Sequence, residues 1–565
     1  MGNLVRYILI IFIFALFPLY LFAVSPNDQT EIDLANNLDK QANIYYKQGR
    51  YAEVEPLYKR SLAIKEKILG PEHPNVALSL YNLAYLYQNQ GRYTEAEPLY
   101  KRSLAIVEKA FGTEHLDVAV ILNNLGLLYN NQGRYAEAGP LYKKSLAIRE
   151  KILGPEHLDV ALSLYNLAYL YHNQGHYAEA EPLYKRSLAI REKILGPEHL
   201  DVALILNNLA YLYFNQGRYA EAEPLYKRSL AIKEKILGLK HPDVAMSLNN
   251  LALLYNDLGN FAEAEPLYKR ALTIYEKVFG PEHPNVATSL GNLGLLYNKQ
   301  GRYAEAEPLY QRSLTISEKA FGPDHPRIAT SLGNLAALYR KQARYAEAEP
   351  LYQRSLTIYE KAFGPEHPDV AISLNDLAVL YKDQGRYSEA EPLFNRALKI
   401  NERAFGQDHP EVATNLNNLG LLYSNQGRYA EAEPLYKKSL AISEKIHGPD
   451  HTAVAKTLNN LAILYYMQGR YVEAEPLYQR SLTIEEKTLG PEHPDIASNL
   501  GNLAVLFHRQ GRFAEAGSLN KRSLTLYEKA FGPEHPDVAT SLNNLGLLYN
   551  NQGRYAEAEP LYKRS

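Results

Sequence analysis

The hydrophobic positions of the chain recur every 42 residues. One unit serves as the ruler: "VALSLYNLAYLYQNQGRYTEAEPLYKRSLAIVEKAFGTEHLD", with position 0 at Val76. Its first half is apolar at Val76, Leu80, Leu83, Ala84 and Tyr87, and gaps of four, three, one and three form a helical stripe. "NQGR" breaks the stripe at Gly91, a residue suited to the left-handed end of a helix. A second stripe follows at Tyr93, Ala96, Leu99/Tyr100 and Ser103/Leu104. Its other face carries Glu95, Glu97, Lys101, Arg102, Glu108 and Lys109, a solvated charged surface. Gly112 ends the second helix. A linker resembling "GPEHPD" (Gly364–Asp369) leads to the next unit, its second proline standing near a helix start.

The pattern therefore predicts an all-α chain of helical hairpins. Units begin at residues 34, 76, 118, 160, 202, 244, 286, 328, 370, 412, 454, 496 and 538, with no break in register. Two short helices cannot bury their apolar faces alone. Stacked in series they can, so residues 34–565 read as a solenoid with nearest-neighbour contacts, of about 13 hairpins with the last incomplete. Pro98 and its equivalents Pro182, Pro308 and Pro434 lie inside the second helix, where a lost hydrogen bond predicts a bend or a later helix start. The closing phrase "NNLGLLYNNQGRYAEAEPLYKRS" repeats Asn123–Ser145 almost word for word. It stops within the second helix, which predicts a truncated reading frame with a frayed last helix, or an end in need of a partner.

Leu83-Ala84, Tyr87, Gly91, Tyr93, Ala96 and Tyr100 match the spacing of the tetratricopeptide repeat. The 42-residue length, the "LNNLA-LY" first helix, "Q-GRY-EAEPLY-RSL-I-EK" and the "GPEHPDVA" linker resemble kinesin-light-chain-type repeats of a bacterial kind. The resemblance covers residues 34–565. It implies a right-handed superhelical solenoid with a concave groove for extended peptides, lined by the first helix of each hairpin. It does not imply a true kinesin light chain: no heptad coiled coil precedes the repeats, only the short linker 25–33.

In the first helix, positions 0, 4, 7, 8 and 11 pack, and the opposite arc would line that groove. Position 6 is Asn in eleven units: Asn82, Asn124, Asn166, Asn208, Asn250, Asn292, Asn334, Asn418, Asn460, Asn502 and Asn544. It is Asp376 in one and Lys40 in the divergent first unit. An amide offers donors and an acceptor, so such a row could pair with peptide backbone regardless of sequence. It could equally bond neighbouring helices and hold the stack. Position 9 is Tyr85, Tyr169 and Tyr211 early and mostly aliphatic later, while Arg340, Lys341 and Lys382 at positions 12 and 13 follow Lys299. This reads as an aromatic stretch of groove followed by a basic one, suited to a partner with an apolar anchor and acidic neighbours. The bland reading is that position 12, which varies from Gln88 to Asn550, drifts because it is merely exposed.

Composition changes the picture in two places. The 61 basic and 63 acidic residues nearly cancel, which leaves no clustered charge for a nucleic acid. There is no cysteine, so thiolate metal sites and cysteine catalysis are excluded. The first residues, 1–24, hold one Arg and then an uncharged apolar run from Tyr7 to Val24. This predicts a signal peptide or an N-terminal membrane anchor, and either places the repeats outside the cytoplasm, periplasmic, secreted or anchored.

The "PEHP" or "PEHL" histidines, among them His73, His157, His199, His283, His367, His493 and His535, invite a metal reading. Spaced 42 apart, they do not converge, and equal copies do not make a catalytic constellation. A hydrogen bond at the helix start is the expectation. No phosphate-binding, zinc-protease or nucleophile-elbow motif is present, so no cofactor, metal or catalytic residue is assigned. The sequence reads as a non-catalytic scaffold for a protein or peptide partner, with a self-associating envelope spacer as the alternative.

Overall fold

The computed structural model describes residues 25–47 and 50–565. The apolar segment 7–24, on which the signal or anchor expectation falls, lies outside them. Among the described residues there are 26 α-helices, from Pro26–Lys47 to Tyr555–Arg564, and no strand. None of these helices is long and apolar enough to cross a membrane. The chain divides into two compact units, residues 1–170 and 171–565.

In the first unit, the hairpin Pro74–Asn89 and Tyr93–Phe111 shows the local logic. The His73 ring caps the first helix: its Nδ1 accepts the Asn75 N–H at 3.1 Å, and Pro74 follows at the first helical position, where no N–H is needed. Gly91, at φ 75°, turns the chain between the helices. The second helix runs unbroken through Pro98, so the later start expected from that proline does not occur. One internal bond is lost, and packing on both sides outweighs it.

Tyr100 and Ala96 are fully buried, Tyr100 edge-on to Tyr81 of the first helix at 5.7 Å, and the Ser103 hydroxyl donates to the Ala77 carbonyl at 2.7 Å, tying the helices together. Successive hairpins are fastened by polar groups from "GRY" and "AEPLY". The Tyr87 hydroxyl donates to Glu55 (2.9 Å), and Arg92 also reaches Glu55 (2.7 Å) while stacking 3.9 Å over the Tyr87 ring. These bonds hold the Glu55 carboxyl down at about 2, Arg92 contributing most. Half-exposed pairs of this kind each contribute little, and here a bidentate cation–π arrangement recurs as a network.

The second unit repeats these devices. Arg386 stacks on Tyr381 and binds Glu349, and Arg470 stacks on Tyr465 and binds Glu433. Asn260 in place of Arg, and Gly517 in place of Glu, interrupt the series. Neighbouring first helices are joined by short amide bridges, whereas neighbouring second helices are joined by long side chains such as Arg228–Glu192 and Arg480–Glu444. The last helix, Tyr555–Arg564, is regular, without the expected fraying; Tyr562 is 38% exposed where its equivalent Tyr142 is 1% exposed.

Candidate peptide-binding groove

Several position-6 asparagines share a kind of partner. Their side-chain N–H reaches across to position 5 of the preceding unit: Asn166 to Asn123 (2.9 Å) in the first unit of the chain, and Asn250 to Asn207 (2.8 Å), Asn418 to Asn375 (2.9 Å), Asn460 to Asn417 (3.0 Å) and Asn502 to Asn459 (3.2 Å) in the second. Asn124 reaches the Tyr81 hydroxyl in the same way at 3.0 Å, and Asn208 bonds the Leu204 carbonyl. Asn82, Asn166 and Asn208 are buried, and the others are half-buried. In these bridged units part of the amide's capacity therefore holds the stack.

The series is interrupted at Asn249, whose Oδ1 has no partner although Asn292 follows it, and wherever position 5 is glycine. Gly291, Gly333 and Gly501 leave Asn334, Asp376 and Asn544 without that acceptor. Asp376 is the informative case: burial raises its carboxyl to about 6, against the pull of Arg340. It borders a cavity of about 350 Å³ on the first-helix face, lined by Ala337, Arg340, Tyr352, Val379, Lys382, Asn417, Asn418, Leu421, Lys456 and Asn460. Positions 2, 5, 6, 9 and 12 of four successive units, those beginning at residues 328, 370, 412 and 454, meet there beside Tyr352 of a second helix.

The basic residues are not a bare positive surface. Lys299 pairs with Asp257 (2.6 Å), and Arg340 (2.5 Å) and Lys382 (3.1 Å) share Asp383. Burial, then Arg340 and Lys299, lower the Lys341 ammonium; burial, then Lys382, lower that of Lys456. The aromatic stretch is also real but local. Tyr85 lies 5.8 Å from Tyr46 and 6.4 Å from Tyr81, Tyr169 lies 6.5 Å from Tyr165, and Tyr211 stacks on His172 at 5.1 Å. All three tyrosines are half-buried.

Position 12 corrects the bland reading. Gln88, Asn130, His172, Asn256, Asn298 and Ser424 are buried there. Gln88 accepts the hydroxyl of the buried Tyr100 at 2.8 Å, whereas Asn298 and Ser424 lie beside the buried Tyr310 and Tyr436 as donors. In these units position 12 therefore varies among buried side chains, and exposure does not explain the variation.

The tetratricopeptide repeat description matches the chain in overlapping stretches from 33–109 to 495–565. The chain belongs to the tetratricopeptide repeat family. Solved structures similar to this repeat array include a Podosopora anserina kinesin light chain with nearly identical TPR-like repeats. It is 28% identical, with 36% of this chain and 97% of that one covered and a TM-score of 0.31; a single-substitution form of it gives 0.32 over the same coverage. BtubC (BKLC) from P. vanneervenii is 23% identical, covers 44% of this chain and 94% of its own, and has a TM-score of 0.32. The comparison with curated proteins found no match. Tetratricopeptide solenoids serve protein–protein interaction generally, and the fold is typically non-catalytic.

The linker histidines of the repeats do what the sequence expectation assigned them. His73, His157, His199, His283, His367, His493 and His535 each cap a first helix through Nδ1. Sequence reasoning offered a bond to neighbouring helices as one of two readings of the asparagine row but did not name position 5 as the partner. The signal for that partner was the recurrent Asn-Asn pair: consecutive asparagines in a 42-residue repeat stand 43 apart between units, which is the spacing of the bonds.

Proposed function

We propose that the chain is a non-catalytic scaffold that binds an extended protein or peptide segment along its first-helix face. The observation that carries this reading is the cavity beside Asp376. Four units converge on it, and Asn334 and Asp376 lack the lateral partner that occupies other members of the row. An extended strand laid there would meet amide and carboxyl groups from successive units at regular spacing. Aliphatic Ala337, Val379 and Leu421 would receive an apolar side chain, and Arg340, Lys382 and Lys456 its acidic neighbours.

A peptide display library selected on the immobilised chain tests this. Selected peptides should lose binding to a variant carrying Asn418→Leu, Asn460→Leu and Lys382→Glu. They should keep it for a variant with the second-helix changes Lys151→Glu and Lys235→Glu. Equal binding to both variants contradicts the groove. Charge reversal at Arg340, Lys341 and Lys382 with unchanged peptide preference would remove the basic stretch from the reading. The apolar segment 7–24 supports a site of action outside the cytoplasm, which fractionation of the expressed full chain checks.

A further inference from the structure

Within residues 171–565 the chain meets itself after 236 residues, between five and six repeats. His409 Nε2 lies 3.3 Å from the Asn173 carbonyl, and His493 Nε2 lies 3.1 Å from the Asp257 carbonyl, both 236 residues earlier. Between these two, His451 faces the backbone of Asn215. Tyr177 packs on the His447 ring at 5.5 Å, and Phe261 lies 6.3 Å from Phe531. The hairpin loops of one turn of the coil thus form a seam with the linkers of the next.

The seam is close-fitting. A Cβ on Gly175 would stand 2.7 Å from Pro410, one on Gly217 2.8 Å from His451 and one on Gly259 3.0 Å from His493; Gly301 has no room beside His535 either. The corresponding Gly385, Gly427, Gly469, Gly511 and Gly553 have nothing within 4 Å.

The seam histidines also each do a second job. Nδ1 of His409, His451 and His493 accepts the N–H that opens the following helix, from Glu411, Ala453 and Asp495. Nε2 must then carry the proton that His409 and His493 donate to a carbonyl. Only this one neutral tautomer serves cap and seam together. A second proton goes to Nδ1, where it opposes an N–H donor and puts positive charge at a helix N-terminus. Off the seam, the ring of an exposed linker such as His199 can turn into water. On the seam, His409 and His493 are 5% and 6% exposed and cannot turn without parting the contact.

We propose that this seam is an acid-sensitive latch: protonation of its histidines parts successive turns of the coil while the hairpins stay folded. The charged surroundings favour the neutral rings at the seam's core. His409 faces His176, with Glu411 two residues on; His447 faces His451, His409 and Tyr177; His451 is followed by Ala453, which offers no carboxylate. Burial, as the first cause, lowers His409 and His451 to about 4 and His447 to about 3. At the far end, Asp495 lies 3.9 Å from His493 and Asp537 3.7 Å from His535. They temper the effect there, against Lys299 and Lys341, and Asp257 also faces His493. His409, His447 and His451 are therefore the trigger. Opening would widen lateral access to the first-helix face; that consequence rests on the groove reading, whereas the latch does not.

Small-angle scattering of the full chain, with far-ultraviolet circular dichroism in parallel, tests the latch without any partner. Between pH 7.5 and pH 4.5 the radius of gyration should rise while helicity is retained. The triple variant Gly175→Asn, Gly217→Asn, Gly259→Asn should show the expanded radius already at pH 7.5. Asn accepts the left-handed backbone of these loops, so the hairpins fold. The matched triple Gly427→Asn, Gly469→Asn, Gly511→Asn should behave like the parent. A radius unchanged by pH, expansion only together with loss of helix, or identical behaviour of the two triples would each overturn the proposal. Peptide binding that fails while the radius still responds would count against the groove alone.

Discussion

The thirteen residues Asn215–Lys227 and Asn425–Lys437 are identical, "NQGRYAEAEPLYK", and fold into the same loop and helix start. Their surroundings differ. Gly217 is closed over by His451 and Thr488, and Gly427 by nothing within 4 Å. Local sequence therefore decides the hairpin, and position along the coil decides what the hairpin touches. A near-perfect repeat thus carries its own control: the same residues appear on and off the seam.

The largest expected contrast is steric. Gly217→Leu and Gly427→Leu incur the same left-handed backbone strain, but only the first adds overlap. It should cost about 1–3 kcal/mol more in denaturant unfolding, limited by the energy of parting the seam. Equal losses would remove the seam as an energetic feature.

Next comes the histidine contrast. His199→Ala removes a helix cap worth about 1 kcal/mol; His451→Ala should lower the melting temperature further, because it removes cap and seam contact together. The pH profile follows in sign. The folded protein holds these rings neutral, so the unfolded chain binds more protons, and stability rises with pH in this window. The contribution of His409 and His451 should be complete above their ordinary value near 6.5 and be lost as pH falls towards about 4. Thermal melts of the His409→Gln, His451→Gln double variant should show a flatter profile there.

Two smaller effects sharpen the comparison. Ala343 stands where the other described loops carry glycine, at φ 56°, in the first loop beyond the seam. Ala343→Gly should stabilise by about 0.5–1 kcal/mol, seen as a higher unfolding midpoint; an unchanged midpoint would mean the loop relaxes without strain. Arg218 bonds both Glu181 and Glu221, whereas Arg554 bonds Glu557 and faces Gly517 in place of the other acid. Arg218→Met should therefore lower the melting temperature more than Arg554→Met.

The hairpins, their caps and their buried stripe were legible in the sequence, because each rests on contacts within one 42-residue period. Of the two readings of Pro98, a bend or a later helix start, the later start does not occur, because the helix runs from Tyr93 through the proline. Position 12 misled because variation resembled exposure, when Gln88 accepts the hydroxyl of buried Tyr100 and Asn298 is itself buried. The amide ladder was half legible: the asparagines were visible, but their 43-residue pairing needs the rotation between neighbouring helices. The seam was not legible at all. Contacts between Asn173 and His409 depend on the coil's pitch, which small angles between successive units set and no single repeat encodes.

The most direct measurement uses the absence of cysteine from the chain. Glu179→Cys and Gln407→Cys, both at exposed sites, place a nitroxide on each side of the seam. Dipolar electron paramagnetic resonance should give a narrow, short distance at pH 7.5 and a longer, broader one at pH 4.5 with helicity intact. The same distribution at both pH values, or a long one already at pH 7.5, would contradict the latch.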